Sequence, residues 1–117
     1  MQAKRAGREG RFERAKTQVI SVSLTADEIA LLNELSAVHG GAGRGIQIAM
    51  EHLCILRRQP KIEESIGKHE PFSFAVFPRT RRLIQYFGKR YYGSSPSNVI
   101  RACIKQLIEI DEIEHPF

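Results

Sequence analysis

Apolar and polar residues alternate strictly from Ile20 to Leu24 in the stretch ISVSLT, with Ile20, Val22 and Leu24 on one side and Ser21 and Ser23 on the other. That period of two predicts a half-buried strand over 18–24. The period then changes at once. ADEIALLNEL places Leu31, Leu32 and Leu35 at helical spacing, and no hairpin turn brings the chain back to pair the strand. A lone strand leaves its backbone groups without partners, so a second strand is required from elsewhere in the sequence.

Residues 72–76, FSFAV, supply it. Phe72, Phe74 and Val76 alternate with Ser73 and Ala75, and helical spacing follows in PRTRRLIQYFGKRYYG, with Pro78 suited to a first helical turn. A shift of 52 residues sets Ile20, Val22 and Leu24 on Phe72, Phe74 and Val76, and Leu31, Leu32 and Leu35 on Leu83, Ile84 and Phe87. Gly41 falls on Gly93. Beyond it the offset is 53, and Ile46, Ala49 and Met50 fall on Val99, Ala102 and Cys103. The chain therefore reads as two copies of strand, helix, glycine-containing turn and helix, over 17–58 and 71–112, with a polar linker at 59–70 that has room for a short helical turn.

Neither copy can bury its strand and helices alone. The expected architecture is α+β: one domain over 17–117 in which the strands pair antiparallel about a pseudo-dyad, backed by four helices, so that a free chain is a monomer. A slip of one residue in the second strand would turn Phe74 and Val76 outward. The register expected is the one that buries this bulkier set.

Strand ISVSLT, helix ADEIALLNELSAVHGG, a turn, and a second helix such as SSPSNVIRACIKQLIEI together resemble the ribbon-helix-helix DNA-binding family over residues 17–108. GSSPSNVIRACIKQL is the more specific part of the likeness, and GGAGRGIQIAMEHL departs from it, with glycines where Ser or Thr commonly precedes the helix. The resemblance implies an antiparallel ribbon entering the major groove of double-stranded DNA, outward strand residues at base edges and the second helices' N-termini on phosphates. Tandem single-chain versions resemble TraY-type relaxosome accessory proteins and the virulence C operon protein that assists T-DNA border processing. An accessory role in plasmid or T-DNA transfer, beside a relaxase or other DNA-processing protein and with assembly of copies along DNA, is what that likeness implies. An autoregulating repressor is the alternative within DNA binding, and an antitoxin-like protein-interaction module, docking through the tail IEIDEIEHPF, is the alternative from another class.

On this reading Val19, Ser21, Ser23, Ser73 and Ala75 form the base-facing side of the ribbon. It lacks Arg, Asn and Gln, so direct discrimination between bases is modest and DNA shape carries part of the recognition. Lys16, Gln18, Arg44, Arg79, Arg81, Arg82, Ser97 and Asn98 are the expected phosphate contacts, with Lys16, Gln18 and Arg79 at the ribbon ends also near bases. Arg79, Arg81 and Arg82, opening a helix, oppose its macrodipole, which points to an external anion. Ser95, Ser97 and Asn98 are equally suited to capping the last helix, a role compatible with phosphate contact.

Charge sharpens this picture. The chain carries a net +5, and its basic residues are grouped. Residues 1–16 hold six Lys/Arg against two Glu, the expected flexible basic arm; residues 71–108 hold seven basic side chains and no acid. Segregation of this kind suits a polyanionic partner. Composition, 42% apolar, allows a globular core. No apolar run is long enough to span a bilayer and no export signal is evident, so a cytoplasmic, bacterial setting is expected with no membrane partner. Cys54 and Cys103 lie in apolar helical patterns and are expected as buried reduced thiols. Four scattered histidines and no carboxylate pair or nucleophile set offer no support for an enzyme, a metal site or a cofactor.

Overall fold

In the computed structural model, residues 16–63 and 66–114 are described. The basic arm before Lys16 lies outside them. Strand β1 (Gln18–Thr25) leads into helix α1 (Ala26–Ser36), a 3-10 turn (Ala37–His39) and helix α2 (Ala42–Leu53). Strand β2 (His69–Val76), helix α3 (Pro78–Tyr91) and helix α4 (Pro96–Glu114) follow. The linker between α2 and β2 forms no helix among its described residues. The class is α+β, with a two-stranded antiparallel sheet and four α-helices.

Both strands have eight residues, and their register pairs Ile20 with Phe74, Ser21 with Ser73 and Val22 with Phe72. Val22, Leu24, Phe74 and Val76 are buried, whereas Val19, Ser21, Ser23, Ser73 and Ala75 are exposed, so the side burying the bulkier residues faces the helices. β2 begins at His69, earlier than alternation alone indicates, because His69, Glu70 and Pro71 extend the ladder opposite Thr25, Leu24 and Ser23 without any apolar alternation to reveal it.

Local chemistry explains the helix boundaries. Thr25 and Glu28 form a capping box: the Glu28 N–H donates to Thr25 Oγ1 at 3.2 Å and the Thr25 N–H donates to Glu28 Oε1 at 2.9 Å. The 3-10 turn after α1 ends at Gly40, whose φ of 99° is left-handed, and the Gly41 N–H donates to the Ser36 carbonyl. α3 starts at Pro78 with no side-chain cap. α4 is capped by Ser95, whose Oγ accepts from the Asn98 N–H at 3.2 Å.

The core lies between the ribbon and the helices. Ile46, Ala49, Met50 and Leu53 of α2 recur at one-face spacing and are fully buried, as are Val99, Ile100, Ala102 and Cys103 of α4. The two helices touch where the Cys103 thiol lies 3.4 Å from the Met50 thioether. Burial pushes the Cys103 thiol well above its ordinary pKa and keeps it neutral. Cys54 departs from the sequence expectation of a buried thiol. It follows the last residue of α2, where the chain turns away from the core, and it is exposed.

Candidate nucleic-acid interface

The outer face of the ribbon presents three cross-strand pairs: Val19 with Ala75, Ser21 with Ser73, and Ser23 with Pro71. All six residues are exposed, and Val19 keeps 73% of its surface in water. The five expected base-facing residues thus share one surface. Its polar atoms are hydroxyls, which donate or accept to several bases.

Each second helix approaches the opposite strand with its N-terminus. At one end of the ribbon the Ser23 N–H donates to Ser97 Oγ at 2.9 Å, which anchors the start of α4 to β1. At the other end α2 meets β2 through Gly43, where a Cβ would overlap the Ala75 carbonyl oxygen. This close approach gives the departure GGAGRG a physical reason: Ser or Thr would hold the helix off the strand. The next glycine in that turn, Gly45, has the same character, since a Cβ there would collide with the buried Ser36 hydroxyl.

The two ends differ electrostatically. Beside α4, Arg101 Nε lies 2.9 Å from Glu28 Oε2, Nη1 donates to Asn98 Oδ1 at 2.8 Å, and Nη2 donates to the Ser23 carbonyl at 3.1 Å. One guanidinium thereby ties α1, α4 and β1 together. Ser97 and Asn98 use acceptor atoms in these contacts, which leaves the Ser97 hydroxyl hydrogen and the Asn98 amide hydrogens to donate outward. Beside α2, neither α2 nor α3 has a side-chain cap. The N–H groups of the first α2 turn point out of the helix without intrahelical acceptors, as at any helix start. Gly41, Ala42, Gly43 and Arg44 at this helix start line a groove with Ser73 and Ala75.

Arg44, Arg79 and Arg82 are exposed and have no hydrogen-bond partner among the described residues, and Lys16 is exposed just before β1. Arg81 donates to Gln18 Oε1 at 3.1 Å. Gln18 shares the parity of Ile20 and Val22, so it sits at the flank of the ribbon, held by Arg81, and off the outer face.

Sequence reasoning missed the Arg101 hub, because its partners at 23, 28 and 98 come together only in the folded chain. It also missed a cluster beyond α4's N-terminus. Arg57, Arg58 and Lys61 border a groove with Tyr91, Tyr92 and Asn98. The adjacent arginines were the available signal, masked by the near balance of charge over 17–58. The two adjacent tyrosines divide: Tyr91 is exposed, while Tyr92 is half-buried and donates its hydroxyl to the Pro60 carbonyl at 2.7 Å. Burial chiefly, then the neighbouring Cys103 and Tyr91, push the Tyr92 phenol up to about 12.

Among the described residues no group of three or more His, Cys, Asp and Glu could hold a metal ion, and no helix is long and apolar enough to cross a membrane. No protein-family model matches the sequence, and comparison with curated proteins and with solved structures finds no significant match.

Proposed function

We propose that this chain binds double-stranded DNA by laying the outer face of its ribbon in the major groove, as a single-chain pseudo-dimer of ribbon-helix-helix type. One observation carries the reading. Ser21 stands opposite Ser73, and these are the residues that the 52-residue offset equates. A twofold-related pair can meet its own equivalent only on the axis, so the register is what a pseudo-dyad through the ribbon centre requires. Met50 and Cys103, equated by the offset of 53, also touch, which supplies a second point on such an axis.

The chemistry at the surface supports a DNA partner. The wide major groove admits a two-stranded ribbon. Helix N-termini at both ribbon ends offer N–H groups to phosphates, and Arg44, Arg79 and Arg82 beside the uncapped end have no anion to satisfy them among the described residues. The hydroxyl-rich face suits contact with many sequences, in keeping with an accessory factor that positions a DNA-processing enzyme. That role rests on the resemblance of the repeats to relaxosome and border-processing accessory proteins.

The direct test places carboxylates on the face without touching the core. Ser23→Glu/Ala75→Glu is expected to weaken binding to a random duplex at low salt by about 100-fold, with thermal unfolding unchanged. Equal affinity in the variant and the parent would overturn the ribbon as the DNA-contacting surface. Mapping bound sites in a genomic library tests the accessory role, which requires sites at a transfer origin or border; sites confined to the protein's own promoter would make it a repressor.

A further inference from the structure

The groove bordered by Arg57, Arg58, Lys61, Tyr91, Tyr92 and Asn98 encloses about 650 Å³ and has no part in the ribbon face. Its basic side chains are not on a loose loop. Gln59 Nε2 donates to the Leu53 carbonyl at 2.9 Å, the Tyr92 hydroxyl to Pro60, and Lys105 Nζ to the Lys61 carbonyl at 2.7 Å. Leu56 and Ile62 pack against the core between these anchors. Backbone and apolar side chains are thus secured, and Arg57, Arg58 and Lys61 are left exposed with no anion on the described protein to pair with.

Position gives the groove its meaning. Asn98 borders it and belongs to the first turn of α4, one residue beyond the Ser97 that accepts from β1. The cationic surface therefore begins where the phosphate-facing start of α4 ends. Across the groove, Tyr91 presents an exposed ring under the Arg90 guanidinium, 5.5 Å from the ring centre, adding a further cation at the rim. The opposite half has no counterpart. An offset of 53 carries Arg57, Arg58 and Lys61 onto Ile110, Asp111 and Glu114, where the side chains are apolar or acidic.

We infer that this groove holds the phosphodiester backbone of the same duplex beyond the ribbon, on the α4 side only. The inference rests on the DNA-binding reading above and adds a polarity to it. The approximate twofold of the ribbon is broken by a one-sided extension, and the chain sits on DNA in a preferred orientation. Each phosphate neutralised contributes roughly 0.9 to the slope of log affinity against log salt concentration. Three additional cations are a large change on that scale.

The experiment measures this slope for the full chain on a random duplex. Arg57→Ala/Arg58→Ala/Lys61→Ala is expected to make it shallower by about 2 to 3. Thermal unfolding should not move, because all three side chains are exposed. Adding Glu109→Gln/Asp111→Asn/Glu112→Gln returns the net charge to the parent value and should leave the slope shallow. Recovery of the slope in that six-fold variant would overturn the groove in favour of bulk charge, and an unchanged slope in the triple variant would overturn it outright. Loss of affinity for a single strand of the same sequence, with duplex binding intact, would also overturn it. These outcomes are separate from failure of the underlying reading, in which the parent chain itself shows no salt-sensitive duplex binding.

Discussion

Each end of the ribbon brings a strand end together with the starts of two helices, and the two ends are finished in opposite ways. Where β1 runs into α1, the nearby helix starts carry side-chain caps: Thr25 and Glu28 cap α1, Ser95 caps α4, and Arg101 joins Glu28, Asn98 and Ser23. Where β2 runs into α3, Phe77 and Gly41 precede uncapped helices, and arginines occupy positions that a macrodipole disfavours. The first end spends its polar groups on holding the fold together. The second leaves its helix starts without side-chain caps and Arg44, Arg79 and Arg82 without partners among the described residues. Contacts that hold the fold together are thus concentrated at one end, and arginines without an anion among the described residues at the other.

The largest effect should come from the open end, where contact is steric. Gly43→Ala forces a methyl group into the Ala75 carbonyl, and backbone cannot yield as a flexible side chain can. A loss of about 3 kcal/mol or more is expected, read as a fall in Tm of at least roughly 12 °C. A smaller fall would mean that α2 can ride away from β2 freely.

Next comes the closed end. Arg101→Ala removes the Glu28 ion pair and the donors to Asn98 and Ser23, for an expected cost of about 2–3 kcal/mol in chemical denaturation. Arg82→Ala, at the open end, should cost almost nothing by the same assay, since exposed cations without partners contribute little to stability. Similar costs for the two variants would erase the contrast between the ends.

A smaller effect, about 1 kcal/mol, is expected for Tyr92→Phe, which deletes the bond to Pro60. Its pH dependence has a definite sign. The folded phenol titrates near 12, above the ordinary 10 of the unfolded chain, so its contribution is complete below pH 10 and is lost as pH rises toward 12. The buried Cys103 thiol acts in the same direction. Denaturation midpoints measured between neutral and strongly alkaline pH should fall over that window, and fall less in Tyr92→Phe.

The smallest change reverses the sign. Arg79→Glu puts an acid in the first turn of α3 and should stabilise the fold by about 0.3–1 kcal/mol while weakening duplex binding. Gains in both properties would show that the open end does not serve an anion.

Much of the scaffold was legible because it rests on periodicity. Strand alternation separated Phe72 and Phe74 from Ser73 and Ala75, and burial of the bulkier set chose which of the two faces inward. Outer-face residues could be named for the same reason. Elements that depend on contacts between distant segments were not legible. Arg101 reads as one more cation in the acid-free stretch 71–108 until residues 23, 28 and 98 surround it. Gly43 looks like a turn residue until Ala75 lies against it, and the arginines at 57 and 58 look balanced until the linker folds back on Tyr92. His69–Pro71 pair in the ladder through backbone alone, which leaves no apolar trace. Cys54 shows the converse: a helical pattern continues into its neighbours, but the helix does not.

The meeting of Met50 with Cys103 has a further consequence. In an assembly of identical subunits, residues at the symmetry axis confront copies of themselves, and any substitution there is felt twice. Here a thioether faces a thiol, two side chains of different volume encoded at independent positions. Either can be enlarged while the other shrinks, so the packing at this contact is adjustable from each side separately.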